Sequence, residues 1–430
     1  MHTLGCRLNQ YETDRIRDRL VAAGYTIVPH GEPTNLAVIN TCTVTHQADA
    51  KCRAEIRKFI RRQPQARVAV VGCYAQMGHR ALARIPGIDL ILGNQDKLNL
   101  LDYLPPEKTE VPVVVRERID KTDFTVGTVG ELPFDQRANL KIQDGCDFHC
   151  AFCIIPQARG HARARAFADL MAEARNLVDR GVREIVISGV NIGTYNQAGR
   201  DIVAVVDALD ALPGLYRVRI SSIEPTTIPL ALFDRMAAPD HTLQPFLHIP
   251  LQSGSDPVLR HMRRKYTLKA FTDFIAEADR RVPDLCIGTD ILVGYPIETE
   301  ARFAETCETF RAHPFAYCHV FTFSERKGTP AAAIPADRQV PVAVRHQRSA
   351  HLRRLSARKR HAFACRFLGR DRDVLFENSR DGVWPGYTDN YIRVLVDDPG
   401  RGPLVNRRGV VRLKEAHADF VEGELVRLVD

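Results

Sequence analysis

The chain has 430 residues, 45% hydrophobic and 26% charged, with 60 Lys and Arg against 52 Asp and Glu for a formal net charge of +8. That balance fits an ordinary globular protein of two to four domains at roughly 150 residues each, and it excludes disordered, collagenous and mini-protein chains. No apolar run reaches the roughly 18 residues that cross a bilayer, and the opening Met1–Glu12 lacks the apolar core of a secretory signal, so a cytoplasmic protein with no membrane partner is expected.

Eleven cysteines, an odd number in such a chain, argue against a disulfide framework. They are either buried small hydrophobes or thiolate ligands, and spacing has to decide. In chain order, apolar runs at Leu36–Ile39, Val68–Val71 and Leu90–Leu92 alternate with helical periodicity over Tyr11–Ala23 and Ala48–Arg62. This predicts a small parallel sheet with helices on its faces. Cys6, Cys42 and Cys73 each fall where a strand should end, about one strand–helix–strand unit apart. Parallel strands share one carboxyl edge, where ligands bind. The three thiols would therefore converge there, unless they are simply buried structural cysteines. Gly5 and Gly72, just before two of them, would permit tight turns. Cys52, inside a helical run, reads as structural.

Pro105-Pro106 and the charged stretch Glu107–Asp123 suggest a linker. Six further strands are predicted at Asn139–Ile142, Glu184–Ser188, Tyr216–Ser221, Phe246–Pro250, Cys286–Val293 and Ala316–Phe323. Helical patterns such as Phe167–Arg180, Leu268–Arg281 and Thr299–Arg311 separate them. Six such units imply an incomplete α/β barrel or an open parallel sheet, both of which carry their chemistry at the carboxyl ends of strands. Pro341–Arg370 then holds nine Lys and Arg and no Asp or Glu, over a helical pattern. Such a single-sign run suggests contact with nucleic-acid phosphates. Short strand-like pieces at Val374–Glu377, Tyr391–Val396, Gly409–Leu413 and Leu425–Leu428 predict a small β-barrel. The resulting division is 1–125, 130–365 including the basic connector, and 366–430.

The decisive segment is Gly145-Cys146-Asp147-Phe148-His149-Cys150-Ala151-Phe152-Cys153, directly after the first strand of the second region. Three thiolates at Cys-x3-Cys-x2-Cys spacing fit around one metal centre. A structural zinc site would usually add a second pair of ligands, for which His149 is awkwardly placed. Three ligands on a cubane cluster leave one iron open.

This loop resembles the signature of radical S-adenosylmethionine (SAM) enzymes. Thr3–Glu12, Asn40–Thr45 and Gly72–Gln76 resemble the amino-terminal domain of methylthiotransferases. Arg159-Gly160-x-x-Arg163-x-Arg165, Ser188–Gly193, His248–Ser255 and Asp290–Pro296 resemble their radical core. The carboxyl-terminal piece is similar to their TRAM domain, a small RNA-binding barrel. The order is the family's across essentially the whole chain, although Ile297 stands where the family often has Gly and Gln157 where an aromatic residue is common. The resemblance implies a [4Fe-4S] cluster on Cys146, Cys150 and Cys153, a second on Cys6, Cys42 and Cys73, and SAM as cofactor. The opening Leu-Gly-Cys-x-x-Asn-Gln-Tyr-Glu is closest to the bacterial branch that methylthiolates C2 of N6-threonylcarbamoyladenosine at position 37 of tRNA.

By the same resemblance, one SAM would methylate a sulfur on the second cluster. Another would yield the radical that abstracts hydrogen from the adenine. No acid–base pair is demanded, and no catalytic side chain is assigned. Ser188, Gly189, Gln252, Ser253, Ser255 and Asp290 are candidate contacts to SAM or substrate, or else ordinary turn residues. Arg159, Arg163 and Arg165 either clamp carboxylate or phosphate groups or form a solvated basic face. The alternatives are methylthiolation of isopentenyladenosine or of a ribosomal-protein aspartate, or a non-catalytic iron–sulfur protein that binds RNA or carries electrons. The sequence identifies neither reductant nor sulfur donor, and it implies no DNA partner.

Overall fold

A computed structural model describes residues 1–127, 137–398, 400 and 402–429. Strands β1 (His2–Thr3), β2 (Leu36–Thr41), β3 (Arg67–Gly72), β4 (Leu90–Leu92) and β5 (Val113–Val115) lie side by side in that order, all parallel. Alternate residues of β3 serve two cores. Val68 and Val70 pack with Ile39, Ile56 and Leu82, while Ala69 and Val71 pack with Ile16, Leu20 and Val38. Both faces are covered by helices, as a parallel sheet requires. The helix His46–Arg62 starts at Thr45, whose side chain accepts from the Ala48 N–H. β5 lies inside the charged stretch expected to be a linker: its three valines pair with β4 at the sheet edge. The expected domain start at 130 falls among residues 128–136, outside the described residues.

β6 (Arg137–Lys141) is followed by a short antiparallel pair, β7 (Gln143–Asp144) and β8 (Arg163–Ala164), which brackets the Cys146–Cys153 loop. β9 (Glu184–Ser188) and β10 (Arg217–Ile220) complete a parallel sheet with β6, and β11 (Phe246–His248), β12 (Cys286–Val293) and β13 (Phe315–Thr322) form a second. Parallel bridges Val218–Leu243 and Ser222–His248 join the two sheets at β10 and β11. The six strands therefore run in chain order as an open barrel, with their carboxyl ends on one side. β9 is buried along its whole length, its Ile185-Val186-Ile187 centre apolar and its buried Glu184 paired with Arg219.

The helix Val342–Cys365 lies along β13, with the Ser356 hydroxyl bonded to both backbone groups of Cys318. Its cations do not form one basic face. Arg345 and Arg348 are buried on Glu325 and Glu298, at 2.6 and 2.7 Å. Lys359 donates to the carbonyls of Phe310 and His313. Arg353, Arg354, Arg358 and Arg360 are exposed, as are Arg366 and Arg370 just beyond the helix.

β14 (Asp371–Phe376), β15 (Val383–Thr388), β16 (Arg393–Asp397), β17 (Arg408–Ala416) and β18 (Val421–Leu428) close a barrel in the order 14-15-16-18-17. β15 was absent from the sequence reading because Pro385-Gly386 sits at its centre, and both residues normally break strands. Here barrel closure overrides that preference. The barrel docks on the core through β10: Arg217 donates to Tyr387 O and Asp373 O, both at 2.8 Å, and Arg219 donates to Thr388 O at 2.8 Å.

Candidate active site

Cys42 and Cys73 immediately follow β2 and β3, and Cys6 lies just beyond β1, so the parallel sheet delivers three thiols to one edge. The approach is tight. Gly5 has φ +120°, and a Cβ there would sit 2.9 Å from the Cys42 Cβ; Gly72 has φ +97°, and a Cβ there would meet Thr41 O at 2.8 Å. Only glycine satisfies both the conformation and the space. Burial pushes the Cys42 thiol up to about 12, with Cys73 and Cys6 adding to the shift. Asn94 approaches from β4, donating to Cys73 Sγ at 3.5 Å and to Ala158 O of the core at 2.6 Å.

Cys146, Cys150 and Cys153 line a separate cavity of about 340 Å³. Burial raises all three thiols, Cys146 to about 11 and Cys153 to about 12. Arg264 donates to Cys150 Sγ at 3.3 Å and is paired with Glu224. A cluster of thiols with one guanidinium donor suits a negatively charged iron–sulfur centre: the cation stabilises thiolate, and the donor addresses a ligand sulfur.

The seam between the amino-terminal sheet and the core is ionic and dry. Glu12, fully buried, accepts from Lys141 and Arg159, each at 2.9 Å, and from Lys97. Asp144 accepts from Lys141 at 2.6 Å and from Arg159 at 3.1 Å. Burial alone would raise the Glu12 carboxyl, yet Arg159, Lys141 and Lys97 hold it well below its ordinary value. Beside this hub, Arg165 binds Asp169 and Glu173, and Tyr11 donates to Glu173 at 2.8 Å. Arg159 and Arg165 are thus neither a solvated face nor open ligand clamps. They are interior ion pairs joining two parts of the fold. Arg163 is half-buried, with Asp144 at 3.8 Å and the Phe124 ring beneath its guanidinium.

A larger cavity, about 870 Å³, opens where three parts of the chain meet. The Gly5–Leu8 loop supplies one wall, Ser188, Gly189 and His248 at strand ends a second, and the barrel residues Tyr387 and Tyr391 a third. Tyr387 and Tyr391 stack at 4.8 Å, and Tyr391 also packs on Phe246.

The sequence-derived contact candidates divide. Ser188 and Gly189 line this cavity. Gln252 holds φ +67°, a costly conformation for a residue with a side chain, in the loop after β11. Ser253 is fully buried against Thr306 at 3.3 Å, and Ser255 is buried with its hydroxyl unpartnered among the described residues. Asp290 is engaged by imidazoles: His248 Nε2 lies at 2.8 Å and His319 Nδ1 at 3.5 Å. Burial would raise its carboxyl, but hydrogen bonds from the two histidines bring it down to about 2.

Residues 1–93 match the uncharacterized protein family UPF0004, and residues 140–310 match the radical SAM superfamily. The threonylcarbamoyladenosine tRNA methylthiotransferase MtaB of Bacillus subtilis is 36% identical over 100% of this chain and 96% of its own. The chain is a radical SAM tRNA methylthiotransferase. Among its relatives, the enzyme of the same description from Chlamydia pneumoniae is 32% identical over 98% of this methylthiotransferase and 97% of its own chain. The tRNA-2-methylthio-N(6)-dimethylallyladenosine synthase of Cereibacter sphaeroides ATCC 17023 is 34% identical, with the same two coverages of 98% and 97%. In fold, the methylthiotransferase is similar to the radical SAM methyltransferase TsrM from Kitasatospora setae, solved with cobalamin and a [4Fe-4S] cluster. The TM-score is 0.53 at 16% identity, over 72% of this chain and 68% of that one. Membership of the radical SAM superfamily implies a [4Fe-4S] cluster and SAM. Among the described residues, no helix is long and apolar enough to cross a membrane.

The sequence assigns no individual role to Arg264, which the structure sets against Cys150, or to Arg7, Tyr317 and His319, which line the large cavity; Arg360, read from the sequence only as part of the basic run, lines it too. His319 and Tyr317 lie on a strand the sequence predicts, two residues apart and so on one face. That alternation, polar residues on an otherwise apolar strand, was the available signal.

Proposed function

We propose that this methylthiotransferase adds a methylthio group to C2 of N6-threonylcarbamoyladenosine at position 37 of tRNA. In this reading Cys146, Cys150 and Cys153 hold one [4Fe-4S] cluster, Cys6, Cys42 and Cys73 hold a second, and the working units are 1–125, 130–365 and 366–430. One observation carries it: the large cavity is walled by the Cys6 loop, by strand ends of the core and by the C-terminal barrel together. A sulfur-donating centre, a SAM-binding edge and an RNA-binding barrel must meet around a single base, and a cavity walled by these three parts of the chain supports that reading. The Thr3–Glu12 motif and the Bacillus and Chlamydia relatives favour the threonylcarbamoyl substrate. The Cereibacter relative makes the dimethylallyl substrate the second reading.

The clusters and SAM, when bound, supply the one-electron chemistry needed at a ring carbon that carries only hydrogen. The chain's own residues bind, orient and exclude water. Arg264 steadies the Cys150 thiolate and is itself held by Glu224 and by Tyr266 at 3.1 Å. Gly189 leaves the strand end open, since a Cβ there would press on Ile192 at 2.6 Å. Tyr387 and Tyr391 stack on each other with Arg137 and Arg219 over their rings, which makes the barrel wall of the cavity rigid. In this reading the exposed cations on the Val342–Cys365 helix, Arg353, Arg354 and Arg358, contact phosphates.

Nucleoside mass spectrometry of tRNA from a deletion strain tests the function. The methylthio derivative of threonylcarbamoyladenosine should vanish while its precursor accumulates. Unchanged tRNA overturns the assignment, and loss of the methylthio-dimethylallyl nucleoside instead selects the second reading.

A further inference from the structure

Resting on the threonylcarbamoyl reading, we propose that Arg360, Arg7 and His319 form an anion-recognition wall that takes the free carboxylate of the substrate's threonyl group. A dimethylallyl arm is hydrocarbon throughout, whereas a threonylcarbamoyl arm ends in a carboxylate and a hydroxyl. A site that selects the second has to offer cationic donors that the fold has not already used.

The arginines around the large cavity fall into two sets. Arg137, Arg217 and Arg219 are consumed by Glu377, Asp373 and Glu184, and they fasten the barrel to the core. Arg7, Arg360 and Arg393 line the cavity itself, where Asp419, on an exposed barrel loop, is the single carboxylate among the lining residues. Arg360 lies 4.9 Å over the Tyr317 ring and makes no ion pair among the described residues. Arg7 donates to the Tyr391 hydroxyl at 2.9 Å and likewise meets no carboxylate. A planar guanidinium stacked on an aromatic face is oriented but not neutralised, which leaves its fork free for a bidentate carboxylate.

Tyr317 is the hub of the wall. His319 packs beside it at 5.3 Å, His248 Nδ1 stands 3.3 Å from its hydroxyl, and Arg7 is near enough to act on that hydroxyl electrostatically. Asp290 contacts both histidines, so His248 is fixed through Nε2 and His319 through Nδ1. His319 lines the cavity, and its Nε2 has no hydrogen-bond partner among the described residues. The anion site is thereby built on β11, β12 and β13 and completed by the loop that ends at Arg7, the first residue of the helix Arg7–Ala22. That loop also carries Cys6, so seating of the substrate's arm and position of the amino-terminal thiols are tied to one segment.

The test is a charge cycle on the full-length reconstituted enzyme. Two anticodon stem-loop RNAs are compared, one bearing threonylcarbamoyladenosine and one with its threonyl carboxylate converted to the neutral amide. Wild type should bind the carboxylate form about tenfold or more tightly, the size of a charge-assisted contact. Arg360→Gln should lose most of that preference while binding the amide as wild type does, Arg360→Lys should retain part of it, and His319→Phe should weaken it. Arg360 and His319 are exposed, so these variants do not open the core. Undiminished discrimination in Arg360→Gln overturns the wall, because a merely structural role would shift both RNAs equally. Wild-type turnover of a dimethylallyladenosine stem-loop but not of the threonylcarbamoyl one removes the substrate reading itself, a result recorded before any variant is made.

Discussion

The two cysteine triads reach similar arrangements by opposite routes. Cys146, Cys150 and Cys153 sit in one loop clamped between β7 and β8, so local backbone geometry alone brings them together. Cys6, Cys42 and Cys73 are gathered by three neighbouring strands of a parallel sheet, so their proximity is a property of the whole amino-terminal fold. A loop-made site is robust to distant changes and vulnerable to its own residues. A sheet-made site inherits every weakness of the sheet and of the seam that supports it.

Substitutions that separate the two triads have the largest expected effect. Cys150→Ala should abolish 5′-deoxyadenosine formation, whereas Cys42→Ala should leave it measurable and block sulfur insertion. Iron should fall from about eight to about four per chain in either variant. Normal sulfur insertion by Cys42→Ala would break the comparison. Glu12→Ala leaves Lys97 without a carboxylate in a dry seam and Lys141 and Arg159 with Asp144 alone, and should cost about 3–5 kcal/mol in chemical denaturation. If the sheet-made triad depends on that seam, this variant loses iron from the amino-terminal site first, and equal loss from both sites would refute the dependence.

Arg264→Gln removes a donor to Cys150 Sγ without touching the other triad. SAM cleavage should slow about tenfold with iron content intact and a shifted reduction potential, read by redox titration. Asp290 gives a pH signature. Its carboxyl is held at about 2, so its contribution is fully present above the ordinary carboxylate range and is lost as pH falls through about 2. Asp290→Asn should cost about 2 kcal/mol at neutral pH and flatten the acid limb of the stability profile. Thr45→Ala removes only a helix cap behind Cys42 and should cost about 1 kcal/mol, measured by thermal unfolding.

The same contrast governs what was legible in the chain. The Cys-x3-Cys-x2-Cys loop is visible by spacing because its ligands are local. The other three cysteines become legible only once β2 and β3 are recognised as parallel strands with a shared edge. Apolar runs such as Glu184–Ser188 and Cys286–Val293 mark strands buried on both sides and end where the structure ends them. β15 was hidden by Pro385-Gly386, whose local preference is overridden by closure of the barrel. Arg159 and Arg165 read as ligand clamps or a solvated basic face because their partners, Glu12 and Glu173, are supplied by folding. The basic run from 341 to 370 misled in the same way for Arg345 and Arg348. One exposed member, Arg360, turned inward to the cavity that matters.

The charged seam also bears on how the molecule is built. Its amino-terminal half contributes Glu12 and Lys97, and its core half contributes Lys141, Asp144 and Arg159. Each half synthesised alone would carry bare charges on a surface shaped to be dry. The amino-terminal segment, which leaves the ribosome first, therefore has reason to stay incompletely folded until Arg159 has emerged. Hydrogen exchange in the helix Arg7–Ala22 should accordingly follow opening of the entire molecule rather than a local parting of its lobes.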